Sequence, residues 1–149
     1  MSLKDIREQI ATILSTVEGM GIVHQYQRWS ATWEKFLDLF KDTDGRINGC
    51  IISRRETPTI RDNMPTIERR HVFLFRFVYA LKDAEASELE FQNIVERIQD
   101  AFDSQYLLGN TVINSGPVQV NLVEIRLFGG VLCHYAELTL EAVERVEYI

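Results

Sequence analysis

The side chains able to ligate a metal or attack a substrate are few and scattered: two cysteines, Cys50 and Cys133, and three histidines, His24, His71 and His134. Cys133 and His134 are adjacent, and adjacent residues of a strand point to opposite faces, so the two do not easily serve one ion. His24 and His71 stand alone in extended segments. A metal site built from this set would need a coincidence of fold, because close ligand pairs such as C-x-x-C are missing. No nucleophile elbow, H-E-x-x-H pair, phosphate-binding loop or dinucleotide glycine pattern occurs. The expectation is a non-enzymatic chain with no catalytic residue, no metal and no cofactor. Its histidines read as satisfied core or edge residues, and its cysteines as buried thiols of a reducing compartment.

Charge is patterned more informatively. Arg54, Arg55, Arg61, Arg69 and Arg70 are concentrated in residues 54–70, together with Glu56, Asp62, Glu68 and two prolines. This composition reads as a long polar loop, which is uncommon inside a compact domain and points to a contact surface. Arginine suits that role because its planar fork pairs with carboxylates and tolerates partial burial. A second set, Glu137, Glu141, Glu144 and Glu147, lies on or beyond the last strand, where such charges commonly keep an edge from pairing with foreign chains. The two sets are opposite in sign and are candidate interface residues. Nucleic acid is a poor partner: no aromatic residue lies between the arginines to stack bases, and 22 acidic against 16 basic side chains give a net charge of −6.

The elements that position these residues follow from apolar spacing. Ser2 with Asp5 caps a first helix carrying Ile6, Ile10, Ile13, Leu14 and Val17, stopped by Gly19 and Gly21. A short extended piece, residues 22–26, leads to Trp29, Trp33, Phe36, Leu37 and Phe40 on one helical face. Trp29 and Trp33 are core anchors on this reading, or a contact hot spot beside Arg28. A turn over residues 42–45 and a strand over 47–53 precede the polar stretch. Residues 71–81, HVFLFRFVYAL, then form a strand apolar on both faces, with Phe73, Phe75, Phe77 and Tyr79 on one side and Val72, Leu74, Val78 and Ala80 around Arg76 on the other. Such a strand needs cover on both faces, so a neighbouring subunit enters the reading. Arg76 requires a carboxylate or water, and Glu124 is a possible partner.

Asp83 and Ser87 are plausible N-caps of the next helix, Ser87 with Glu90 as a capping box, and Phe91, Ile94, Val95, Ile98, Ala101 and Phe102 form its buried stripe. A strand over residues 118–128 meets a second over about 131–143 through Gly129-Gly130, a primed two-residue turn. Leu132, Ala136, Leu138, Leu140 and Ala142 line the core face of the last strand, and Glu137 and Glu141 the wetter one. At 149 residues the chain fits one domain. The expected architecture is a single α+β domain over residues 1–149, a mainly antiparallel sheet of about four to five strands packed by two to three helices. No apolar run is long enough to span a bilayer, and the charged amino terminus reads as no export signal.

The strings IVHQYQRW, INGCIISRRE, HVFLFRFVYALKDAEASELEFQNIVERIQDAF and LCHYAELTLEAVERVEY, in this order, resemble the tail terminator, or tail-completion, proteins of long-tailed bacteriophages and prophages. The resemblance covers most of the chain and lies in apolar patterns and helix starts. It implies a compact α+β subunit of a homo-oligomeric ring, a hexamer, that caps the tail tube, stops its polymerisation and offers a head-attachment surface. The partners implied are further copies of the chain, the tail tube protein and the head–tail connector protein. DNA would pass through the ring without specific binding, and no membrane is involved. The location would be the virion tail, assembled in the bacterial host cytoplasm. Two alternatives stand beside it: another neck protein, for head completion or head–tail joining, and a small ligand-binding α+β domain whose pocket the aromatic face would line.

Overall fold

The computed structural model describes residues 2–28, 32–42 and 45–148, without the side chains of Trp33, Glu34 and Asp62. The aromatic-rich segment is the heart of strand β4 (Thr66–Ala80), which pairs antiparallel with β7 (Val131–Glu147) along its whole length, from Thr66 opposite Glu147 to Ala80 opposite Cys133. On the other side of β4 lie β2 (Asn48–Glu56) and, further along, β3 (Thr59–Asn63). The other side of β7 carries β6 (Gln119–Phe128) and the two-residue β5 (Asn114–Ser115). Strand β1 (Ile22–His24) adds to β2 in parallel, whereas the other pairs are antiparallel.

This corrects the expected architecture. Among the described residues the sheet has seven strands and mixed direction instead of four to five mainly antiparallel ones, and strand dominates over the three α-helices, so the chain is more sheet-dominated than the α+β reading held. Strand β1 supplies the mixed direction and β5 adds a short pairing, and the largest difference is in residues 54–70. They are not a long loop: they form the end of β2, all of β3 and the start of β4. Prolines and alternating charges conceal strands here because Pro58 and Pro65 fall just outside β3, and the charges find cross-strand partners on β7. Of the glutamates of β7, Glu137 lies where the strand is paired on both sides and guards no edge, whereas Glu144 and Glu147 lie beyond β5, where β7 is paired with β4 alone.

One face of the sheet is covered by helices over its centre and left open along the β6–β7 hairpin. Helix α1 (Leu3–Ser15) begins where the Ser2 hydroxyl accepts the Asp5 N–H at 3.3 Å, and buries Ile6, Ile10, Ile13 and Leu14. Helix α3 (Ser87–Asp103) buries Phe91, Ile94, Val95, Ile98 and Phe102 against Phe73, Phe75 and Phe77, all at zero exposure. The rings of Phe75 and Phe102 lie 5.2 Å apart, as do the stacked Phe77 and Phe91. Gly21 is required at the exit of α1 by space: a Cβ there would meet the Asn48 carbonyl oxygen at 2.1 Å. Asn48 closes the same corner, accepting the Gly21 N–H at 3.0 Å and donating to the Gly19 carbonyl at 2.7 Å.

The opposite face has a smaller core of Phe36, Phe40, Ile47, Ile51, Val78, Cys133 and Tyr135, and is only partly covered. Helix α2 (Trp33–Asp38), capped by Thr32, is shorter than the pattern from Trp29 to Phe40 suggests; Trp29 and part of the turn at 42–45 lie outside the described residues, as does the side chain of Trp33. Val72, Leu74 and Arg76 stay half-buried on this face. The Gly129-Gly130 turn forms as its sequence dictates, with φ of 59° and 84°. No helix among the described residues is long and apolar enough to cross a membrane.

Replacing Phe75 by Ala should remove about 3–5 kcal/mol of stability, because its ring fills the centre of the covered face and the flanking sheet and helix cannot collapse onto the space. Urea denaturation gives the value; a loss below about 1 kcal/mol would show that this face is not the principal core.

Candidate functional site

The two charge sets named from sequence do meet, and they meet inside one chain. Register across β4 and β7 sets Glu68 opposite Arg145, Arg69 opposite Glu144, and Arg76 opposite Glu137. Glu68 receives both Arg70 and Arg145 at 3.4 Å, Arg70 also reaches Glu141 at 3.4 Å, and Arg69 lies 3.9 Å from Glu144. Arg69 further donates to the Tyr148 hydroxyl at 3.1 Å. Glu147 and Arg54, Arg55 and Arg61 are exposed; Arg61 donates to the Met64 carbonyl, and no ion pair of Arg54 or Arg55 occurs among the described residues. Most of these pairs are solvent-screened and contribute little each.

Glu144 is the exception, at 5% exposure. Its carboxylate accepts from His71 Nε2 at 2.9 Å, and the Thr57 hydroxyl meets Nδ1 of the same ring at 3.0 Å. A hydroxyl, an imidazole and a carboxylate in sequence is an order that activates nucleophiles. Here the alcohol is the branched, secondary one of an internal threonine, and the three groups tie the turn after β2 to β4 and β7, which is a structural role. His134 is the second buried imidazole. It stacks on Phe91 with centroids 5.2 Å apart, and its Nε2 lies 2.8 Å from the Ser87 hydroxyl. That hydroxyl accepts the Lys82 N–H at 2.8 Å, so Ser87 does not cap α3; it is the helix's first residue and the cap position is Ala86, in the left-handed region at φ 53°. Both thiols are buried, and burial pushes Cys50 up to about 12 and Cys133 up to about 11, away from the reactive thiolate. No cluster of three metal-ligating side chains occurs among the described residues.

A cleft of about 360 Å³ lies on the half-covered face, between α2, the β6–β7 hairpin and the segment at Gln27 and Arg28. Phe36, Phe40, Val78 and Phe128 make its apolar floor, and Arg76, Arg126 and Glu137 its polar wall. Glu124 is not the partner of Arg76: it binds Arg126 at 2.6 Å, and Arg76 instead donates to the Gln27 amide oxygen at 3.4 Å. Arg126 also stacks over the Tyr135 ring at 4.2 Å. Burial and the hydrogen-bonded Glu137 carboxylate push the Tyr135 phenol above its ordinary value, against the pull of Arg76 and Arg126. The cleft thus offers a half-buried guanidinium beside aromatic surface, suited to a carboxylate or phosphate on an apolar body. Sequence reasoning singled out Arg76 through its lone charge in an apolar strand, but had no signal for Arg126 or Tyr135. No protein-family model matches the chain, and no curated protein matches it.

Glu144→Ala should cost about 1–3 kcal/mol, since it strands the His71 N–H in a buried site; a neutral result in denaturant titration would remove the structural role. His134 supplies a pH test. Burial lowers its pKa from the ordinary 6.5, opposed by Glu88, so below pH 6.5 the unfolded chain takes up a proton that the folded chain resists. The difference in thermal midpoint between the parent and His134→Gln should therefore shift against the parent as pH falls through 6.5; a pH-independent difference would contradict it.

Proposed function

We propose that this chain is a structural subunit of a tail-terminator type, forming a ring that caps the tail tube of a long-tailed bacteriophage or prophage, stops its polymerisation and provides the surface for head attachment. The observation that carries this reading is the second face of the sheet, where apolar side chains of β4 and the arginine-walled cleft are only partly covered by the described residues. The sequence strings resembling that family support it from a separate direction. In a closed ring each subunit presents two different complementary patches. Arg54, Arg55 and Arg61 are free to serve as one, because Arg69 and Arg70 already bind glutamates of their own chain. Exposed carboxylates of an acidic neighbour complement them, Glu147 among these. The net charge of −6 lets DNA traverse such a ring by repulsion rather than capture.

A second reading rests on the cleft itself: Arg76, without a carboxylate in ion-pair distance among the described residues, suits a small aromatic or apolar anion. Native mass measurement and negative-stain imaging with and without purified tail tubes separate the two. Rings seated on tube ends are the expected outcome. A chain with no tube affinity that is instead stabilised by small aromatic carboxylates belongs to the second reading, and capture of DNA-filled heads in place of tubes would mark a different neck component.

A further inference from the structure

Strand β6 is an open edge. It pairs with β7 alone among the described residues, yet it is ten residues long and carries neither lysine nor proline, the usual devices that blunt an edge. Its outer face is apolar: Val123, Ile125 and Leu127 are 40%, 56% and 66% exposed, and Leu132, opposite Leu127 on β7, continues the strip. The other face bears Leu122, Glu124, Arg126 and Phe128.

This order is self-complementary. Laid antiparallel against a copy of itself about Ile125, the strand sets Val123 opposite Leu127, Ile125 opposite Ile125, Glu124 opposite Arg126 and Leu122 opposite Phe128, with like faces together. Each of these pairings is favourable, and the two-fold axis presents each hetero pair twice. The 2.6 Å bond between Glu124 and Arg126 within one chain would become part of a four-charge cluster at the axis. The register irregularity between Val120 and Leu122 ends the regular ladder where the self-complementary run begins. A slip of one residue would place apolar against charged side chains, so the register is specified.

We propose that two copies of this chain join edge to edge through β6, antiparallel about a two-fold axis at Ile125, and extend one sheet across both. The occupant of the edge is a second copy because the charge order and the apolar order both match their own reverse. The contact is isologous and therefore distinct from the head-to-tail contacts of a ring, so it stands independently of the function proposed above.

Cysteine placement reads the register directly, since the native Cys50 and Cys133 are buried. Under mild oxidation Ile125→Cys should form a covalent dimer. Val123→Cys should not, because two copies of residue 123 would lie about 13 Å apart, beyond disulfide reach. In sedimentation of the full chain, Glu124→Arg should weaken the dimer about tenfold, two like-charged pairs being created at once, and Glu124→Arg with Arg126→Glu should restore it. Equal cross-linking at 123 and 125, an assembly indifferent to the charge reversal, or a parent chain monomeric at every concentration would each overturn the proposal.

Discussion

The antiparallel ladder between β4 and β7 is the constraint on which the rest of the structure depends. It is central in the sheet, and its register decides the environment of nearly every residue of interest. Because Phe73, Phe75 and Phe77 share a face with Ala136, Leu138 and Leu140, two helices find one continuous apolar surface to cover. Because the same register puts Arg69 beside Glu144 and Glu68 beside Arg145, a charged strip of strand is neutralised where it forms. Moving either strand by one residue would turn the aromatic row outward and separate the charges together.

The ladder also explains why the two faces differ. Helices α1 and α3 are long enough to roof the aromatic side, whereas α2 is short and, among its described side chains, places Phe36 in the smaller core with Phe40 just beyond its end. What remains is a face with an apolar floor and an arginine wall, adjoining a hairpin whose outer strand ends the sheet. Among the described residues this asymmetry leaves apolar and edge surface in water, and both the ring reading and the two-fold contact use that surface. They use different parts of it, which is why either can hold without the other.

The local sequence was legible where local chemistry decides structure. Ser2 caps α1, the Gly129-Gly130 turn adopts positive φ, and the Phe91 to Phe102 stripe lies inward, all determined by neighbours a few residues away. The aromatic face of β4 was equally plain from its alternation. Ser87 was misread because a capping box and an interior hydroxyl share one sequence signature; its true partners are the nearby Lys82 N–H and His134, which β7 brings beneath it.

What the sequence determined by itself, then, is which residues are apolar on which face, where α1 starts and the β6–β7 hairpin turns, and that two sets of opposite charge exist. Tertiary structure alone decided that residues 54–70 are strand, that Arg69 and Arg70 find their glutamates at home, that Arg76 meets Gln27 rather than Glu124, and that β6 rather than β7 is the edge along their hairpin. The physical reason is range. Helix caps and tight turns are satisfied within a few residues, whereas a charged strand is stable only when a partner some seventy residues away supplies its hydrogen bonds and counter-charges, as Glu141 does for Arg70 at a separation of 71.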